Sequence, residues 1–244
     1  MNPFIPEKTP RSVLIDYRAS EEILDHLKKL NIEPIKTIKC IDLQEPVDGH
    51  PDMVIHPINF ETFVAAPNVY DYYIYVLGSL GIKVIEGGKT LSRNYPEDIA
   101  YNVARIGRYA VHNIKHTDQV LKYYLEEAGI EFIHVNQGYT KCSVASVSDN
   151  KALTSDFLIH EKLIAYNIDC MYINPHVVYL EGYDNGFIGG SIGLINDEVF
   201  LSTGKIFDEN ISLSLKKFIQ SSGYIYDEAS NRQITDLGTL IPII

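Results

Sequence analysis

Apolar positions along the 244-residue chain fall into a pattern that recurs five times. Each unit opens on a short β-rich run: SVLIDY (12–17), TFVAAP (62–67), RYAVHN (108–113), KALTSD (151–156) and EVFLST (198–203). Successive starts lie 43 to 50 residues apart, a period typical of repeat architectures. A segment with helical spacing follows each run. In SEEILDHLKKL, Ile23, Leu24, Leu27 and Leu30 form one stripe with charges opposite, which predicts a helix packed by one face. Val120, Leu121, Tyr124 and Leu125 make the same stripe in DQVLKYYLEEA.

These helices end alike, in LNIEPI, LGIKVI, AGIEFI, YNIDCM and SSGYIY. A Gly or Asn stands where a left-handed residue closes a helix, and a second strand follows at once. After a variable loop comes a third extended run: HPDMVIHPI (50–58), DIAYNVARI (98–106), KCSVASVS (141–148), GFIGGSIGLI (186–195) and DLGTLIPI (236–243). Five units of strand, helix, strand, loop and strand fill residues 12–244 as one domain behind a proline-bearing arm at 1–11. Their expected bounds are about 12–61, 62–107, 108–150, 151–197 and 198–244. An open α/β sheet also alternates strands and helices, but no Gly-rich phosphate loop follows any first strand. The expected architecture is therefore an α/β propeller of five modules with pseudo-fivefold symmetry. One extended segment per unit would lie beside a central channel.

Charge narrows the function classes. Lys plus Arg number 21 against 32 Asp plus Glu, a formal charge of -11, which argues against a nucleic-acid partner. The three cysteines, Cys40, Cys142 and Cys170, are odd in number and form no CxxC pair. Neither a secretory leader pattern nor an apolar run of ~18 residues is present in the sequence. A disulfide framework, a metal site and a membrane partner are not expected; a cytoplasmic protein with free thiols is.

Two stretches carry candidate chemistry. In DGHPDMVIHP (48–57), His50 and Asp52 would share one face of an extended chain. In TKCSVASVSD, Cys142 has polar neighbours, unusual for a core strand, and on a regular strand Lys141 would point to the other face. A lone Cys in an apolar strand is more often packing than chemistry; Cys170 in NIDCMYI is assigned to the core, and Cys40 fits either reading, with the core favoured. The remaining histidines have no paired ligand spacing. The glycines of GFIGGSIG suggest close backbone approach, so Ser191 is not taken as a nucleophile.

With this unit organisation, HPD at 50–52 and KCSVAS at 141–146, the chain resembles the pentein, or guanidine-modifying enzyme, superfamily. Arginine deiminase, dimethylarginine dimethylaminohydrolase and the amidinotransferases belong to it, as does a ribosome anti-association factor without that catalytic site. The resemblance in architecture spans roughly residues 12–244, with the chain starting at a different point on the ring. It implies His50 and Asp52 as the family's H-x-D pair, and Cys142, two units further round, as the nucleophile. Asp184 and Asp236 are the acids available for substrate binding in the fourth and fifth units, with Asp52 and Lys141 also beside the substrate. The implied activity is a cysteine-dependent hydrolase or amidinotransferase acting on a cationic guanidine or amidine, without metal or organic cofactor. The alternatives are a non-catalytic propeller that binds a ligand or protein, and a thiol hydrolase on an open α/β scaffold with another partner for Cys142.

Overall fold

In a computed structural model, which describes residues 2–244, the chain forms five three-stranded sheets and seven α-helical segments among the described residues. The first unit contributes β1 (Ser12–Ile15), α1 (Glu21–Lys29) and β2 (Glu33–Lys36). A helical turn, α2 (Pro51–Val54), then leads into β3 (Ile55–Pro57). Next come β4 (Thr62–Ala65), α3 (Tyr70–Gly78), β5 (Lys83–Glu86) and β6 (Ala104–Ile106). The third unit has β7 (Tyr109–His112), α4 (Gln119–Glu127), β8 (Glu131–His134), the turn α5 (Thr140–Ser143) and β9 (Val144–Ser148). The fourth has β10 (Lys151–Thr154), α6 (Phe157–Ala165), β11 (Asp169–Tyr172) and β12 (Ile192–Leu194). The last has β13 (Val199–Ser202), α7 (Glu209–Gln220), β14 (Ile225–Glu228) and β15 (Ile241–Ile243).

The expected helix terminators adopt the left-handed conformation in all five units: Asn31, Gly81, Gly129, Asn167 and Gly223 have φ of 60°, 84°, 74°, 60° and 89°. Asp118, Asp156 and Asp208 cap the N-termini of α4, α6 and α7 through their carboxylates. On α1, Ile23, Leu24 and Leu27 are buried, so the predicted stripe is the packed face.

Strand pairing adds what periodicity left open. The third run of each unit does not pair within its own unit but forms an antiparallel pair with the first strand of the next, as β3 does with β4 and β9 with β10. The first strand then pairs in parallel with the second across the helix. The C-terminal strand β15 completes the sheet of β1 and β2, tying the end of the chain to its beginning. Burial grades across each sheet. In the first sheet, β15 and β1 are buried throughout, whereas β2 has its two end residues exposed. The β3, β6, β9, β12 and β15 strands are thus the inner ones, and β9 touches both β6 and β12. Burial in these strands takes in polar residues as well, His56, Arg105 and Ser146 among them.

The third runs are not extended from their first residue. Pro51–Val54 and Thr140–Ser143 are single helical turns, and Ile188–Gly190 is a 3-10 turn. Proline at the first helical position of α2 is suited to such a turn, since its fixed φ is already helical and its missing N–H is not needed there. His50 and Asp52 therefore meet through a helical turn rather than along a strand, and the strand alternation expected for Lys141 and Cys142 does not apply.

Candidate active site

The segments that precede the inner strands converge and are joined by hydrogen bonds into a closed circuit. Asp52 N–H donates to the Gly238 carbonyl at 3.2 Å, and the Asn102 amide donates to the Asp52 carbonyl at 3.2 Å. Lys141 N–H donates to the Asn102 carbonyl at 3.2 Å, and its Nζ donates to Gly189 at 3.2 Å and to the Thr239 hydroxyl. Thr239 N–H returns to Gly190 at 2.9 Å, and Thr239 is one residue from Gly238. Each of the five segments thus supplies one link. Buried backbone groups at these turns need partners, and the neighbouring segments supply them.

Inside this circuit lie His50, Asp52 and Cys142, all at least 97% buried. One imidazole nitrogen, one carboxylate oxygen and the sulfur lie within 4.8 Å of one another. Asn102 organises the sulfur: its amide donates to Cys142 Sγ at 3.0 Å, while its carbonyl accepts the N–H groups of Lys141 at 2.8 Å and Cys142 at 3.2 Å. His50 sits between two further carboxylates, its Nε2 3.8 Å from Asp16 and its Nδ1 3.8 Å from Asp236, both too long for hydrogen bonds. Asp236 is itself held by the N–H groups of Phe187 at 2.9 Å and Gly238 at 3.0 Å. Gly238 has φ of +65°, and a side chain there would collide with the Cβ of His50, so glycine is needed for both conformation and space.

The unusual property of the cluster is polar dissatisfaction. Both nitrogens of His50 and both oxygens of Asp52 are buried without a well-formed hydrogen bond, although the Cys142 thiol lies close enough to influence the carboxylate. Buried groups in folded proteins are rarely left this way, and each costs about 1–3 kcal/mol. Burial also sets the protonation states. It pushes the Asp52 carboxyl up to about 6, against the opposing pull of Lys141. It raises Asp236 and lowers His50, so the imidazole is neutral. Burial first, and then the charges of Asp52 and Asp236, push the Cys142 thiol well up. These surroundings favour the thiol over the thiolate.

The cluster opens to a cavity of about 300 Å³ lined by His50, Cys142 and Asp236 at its base. Asp184 lines the same cavity and is exposed. Lys141 does not line it: the buried ammonium turns to Thr239 and Gly189 and lies 4.8 Å from the ring of Phe4. Its charge reaches the site through its attraction for Asp52 first, and then for Cys142 and Asp236. The structure therefore gathers His50, Asp52, Cys142 and Asp236, places Asp184 on the wall of the cavity, and puts Lys141 behind it. The trio of imidazole, carboxylate and thiol is also the donor set that could hold a metal ion.

Sequence reasoning passed over Asp16, Asn102 and Tyr139. Asp16 ends the first β-rich run and is wholly buried against Arg18, whose Nε and Nη2 reach its carboxylate at 3.0 and 2.6 Å. A charged residue directly after three apolar ones, Val13, Leu14 and Ile15, was the available signal. Asn102 occupies, in the second unit, the stretch before the inner strand where His50 and Cys142 stand in theirs, and comparison of units could have found it.

Cys40 and Cys170 are buried in apolar clusters, and the Ser191 hydroxyl donates to the Phe187 carbonyl at 2.8 Å. No helix among the described residues is long and apolar enough to cross a membrane.

The fold is that of the pentein superfamily. An inosamine-phosphate amidinotransferase from Streptomyces griseus superposes with a TM-score of 0.59 at 8% identity, covering 99% of this chain and 95% of that one. An amidinotransferase of the saxitoxin biosynthetic pathway from Microseira wollei gives 0.56 at 13% identity over 94% and 91%. An agmatine deiminase from C. jejuni gives 0.55 at 10% identity over 93% and 89%. At these identities the likeness establishes the fold alone. No curated protein matches the chain by sequence. Residues 14–241 match a family described as a family of unknown function (DUF6873), and the chain belongs to that family.

Proposed function

We propose that the protein is a cysteine-dependent hydrolase or amidinotransferase acting on a guanidine or amidine. We also propose that its five modules close into a propeller around the hydrogen-bonded circuit. The observation that carries the proposal is the buried cluster of Cys142, His50 and Asp52, in which the imidazole nitrogens and the carboxylate oxygens lack partners. A guanidinium matches those vacancies. It is a planar cation with several N–H donors, and Asp52 and Asp236 are buried acceptors. Burial first, and then the two carboxylates, hold the thiol protonated; the charge of the substrate offsets the carboxylates and so shifts the balance toward the thiolate.

In the proposed reaction the Cys142 proton passes to neutral His50, and sulfur bonds to the guanidinium carbon. Collapse of that adduct breaks a carbon–nitrogen bond, and the departing amine takes the proton from His50, leaving a thiouronium on Cys142. Water then gives a proton to His50 and bonds to the carbon. The carbon–sulfur bond breaks, the thiolate recovers the proton from His50, and the protonated urea so formed gives its extra proton to solvent, yielding a urea. An acceptor amine in place of water gives amidine transfer. Asp52 and Asp236 hold the substrate throughout. A second reading keeps the cavity as a ligand site without chemistry, and the raised Cys142 thiol favours it.

The test is intact mass of acid-quenched protein after incubation with a panel of alkylguanidines and amidines, alongside assays for released ammonia, amine and urea. Expected is a Cys142 adduct of amidine mass with matching product, both absent from Cys142→Ser. Binding of a guanidine without adduct or product would leave the second reading in possession.

A further inference from the structure

The cavity above Cys142 says what the rest of the substrate is. We infer, on the basis of the guanidine reading above, that the substrate is an aminoalkylguanidine: its tail carries no carboxylate and ends in an ammonium group received at Asp184.

The ionisable side chains lining the cavity are His50, Cys142, Asp184, Asp236 and two tyrosines, and among the described residues no lysine or arginine joins them. The cations nearest in the chain are engaged elsewhere. Arg18 is held by Asp16 and by the Glu45 carbonyl at 2.8 Å. Lys39 pairs with Asp48 at 3.1 Å and, with Arg93, lines a separate depression. Lys141 is turned away under the floor. A substrate carboxylate would have to leave water for a space whose fixed charges are negative, with no partner to repay its desolvation.

The walls suit an ammonium. Tyr139 and Phe187 present nearly parallel rings, 6.4 Å between centroids and 29° between planes. Tyr183, beside Asp184, lines the same cavity and is 48% exposed. Aromatic faces attract cations, and Asp184 adds a carboxylate that forms no ion pair among the described residues. Acidic lining alone would be weak grounds, because carboxylates on a protein of charge -11 are common. The independent observation is His50, buried and unpartnered at the base, with the unpartnered Asp52 carboxylate within 4.8 Å of it, which point to a first cation there. The second carboxylate stands on the wall of the same cavity. At about 300 Å³ the space is at the small end of ligand sites, which suits a short methylene chain between the two charges.

The experiment compares kcat/KM of the full chain for 4-aminobutylguanidine, butylguanidine and arginine, in wild type and in Asp184→Asn. Asp184 is exposed, so this substitution leaves the core untouched. Expected in wild type is a preference for 4-aminobutylguanidine of about tenfold over butylguanidine, the value of one favourable charge contact, and at least about a hundredfold over arginine. In Asp184→Asn the ratio of aminobutyl to butyl substrate falls toward one. Arginine used as well as 4-aminobutylguanidine, or an unchanged ratio in Asp184→Asn, would overturn the tail assignment while leaving the guanidine chemistry intact. If none of the three is turned over and none alters the rate of Cys142 alkylation by iodoacetamide, the guanidine reading falls and takes this inference with it.

Discussion

His50 and His112 are both wholly buried, yet the protein treats them in opposite ways. His112, on β7, has both ring nitrogens engaged: Nε2 lies 3.0 Å from the Gly138 carbonyl and Nδ1 2.7 Å from the Thr117 hydroxyl. A carbonyl can only accept, so Nε2 carries the hydrogen and Nδ1 accepts from threonine. Burial lowers this ring to about 3, which keeps it neutral and confines it to a structural role. His50 has neither nitrogen satisfied and faces two carboxylates at 3.8 Å. The cysteines divide in the same manner. Cys170 packs in an apolar cluster with Ala152, Ile159 and Leu163, whereas Cys142 is met by an Asn102 donor and two carboxylates. The comparison teaches that burial does not separate structural from chemical groups in this protein. Between His50 and His112, completeness of hydrogen bonding does.

The largest expected effect breaks the cysteine pair apart. Under the proposed function, Cys142→Ser lowers guanidine turnover by at least about a thousandfold, because a hydroxyl is a far weaker nucleophile at neutral pH. Although Cys142 also packs against an apolar cluster, its sulfur already accepts from Asn102 and a serine hydroxyl keeps that partner, so unfolding in urea shifts by less than about 1 kcal/mol. Cys170→Ser does the reverse, costing about 1–2 kcal/mol by placing a hydroxyl in an apolar cluster while turnover stays near wild type. Equal stability losses for the two serines would erase the distinction.

The histidines come next. His112→Ala removes two buried hydrogen bonds, strands the Gly138 carbonyl and opens a cavity, for about 2–4 kcal/mol. His50→Ala opens a cavity but breaks no hydrogen bond, so its cost in the same denaturation experiment is lower by at least about 1 kcal/mol. A His50 variant as damaging as the His112 one would show that the ring has partners after all.

The smallest effect is a pH dependence. The Asp52 carboxyl titrates near 6 when folded and near its ordinary value of 3.8 when unfolded. Between those values the folded state holds a proton that the unfolded state has lost, so stability falls as pH rises through this window and stays low above it. The full shift corresponds to about 3 kcal/mol at most, and partial relaxation of the site brings the expectation to about 1–3 kcal/mol. Asp52→Asn should remove that component and raise the unfolding free energy at pH 7.5 by a similar amount. Unfolding profiles of the two proteins from pH 4 to 8 that run parallel would contradict it.

Much of the framework was legible in the residues. The α1 stripe of Ile23, Leu24 and Leu27, and the terminators Asn31, Gly81, Gly129, Asn167 and Gly223, report on forces that act within a few residues. A side chain's preference for one face of a helix, or a backbone's tolerance of positive φ, is settled locally and leaves its mark locally. The same unit comparison that set the strands in register also held Asn102 beside His50 and Cys142, although its amide announces no chemistry of its own. Asp16 was visible as a charge ending an apolar run, yet its place 3.8 Å from His50 depends on how the first sheet packs against α2.

The sequence by itself determined five repeats, their helices and caps, and the residue types from which a site could be made. Only the tertiary structure decided that the third run of one unit pairs with the first strand of the next, and that β15 joins β1. It also decided that residues 50, 142 and 236 meet at one point, and that Lys141 lies behind rather than within the cavity. Periodicity carries no information about which satisfied or unsatisfied partner lies ninety residues away. That is fixed when the segments converge, and the energy of the buried cluster arises from groups brought together by the whole fold.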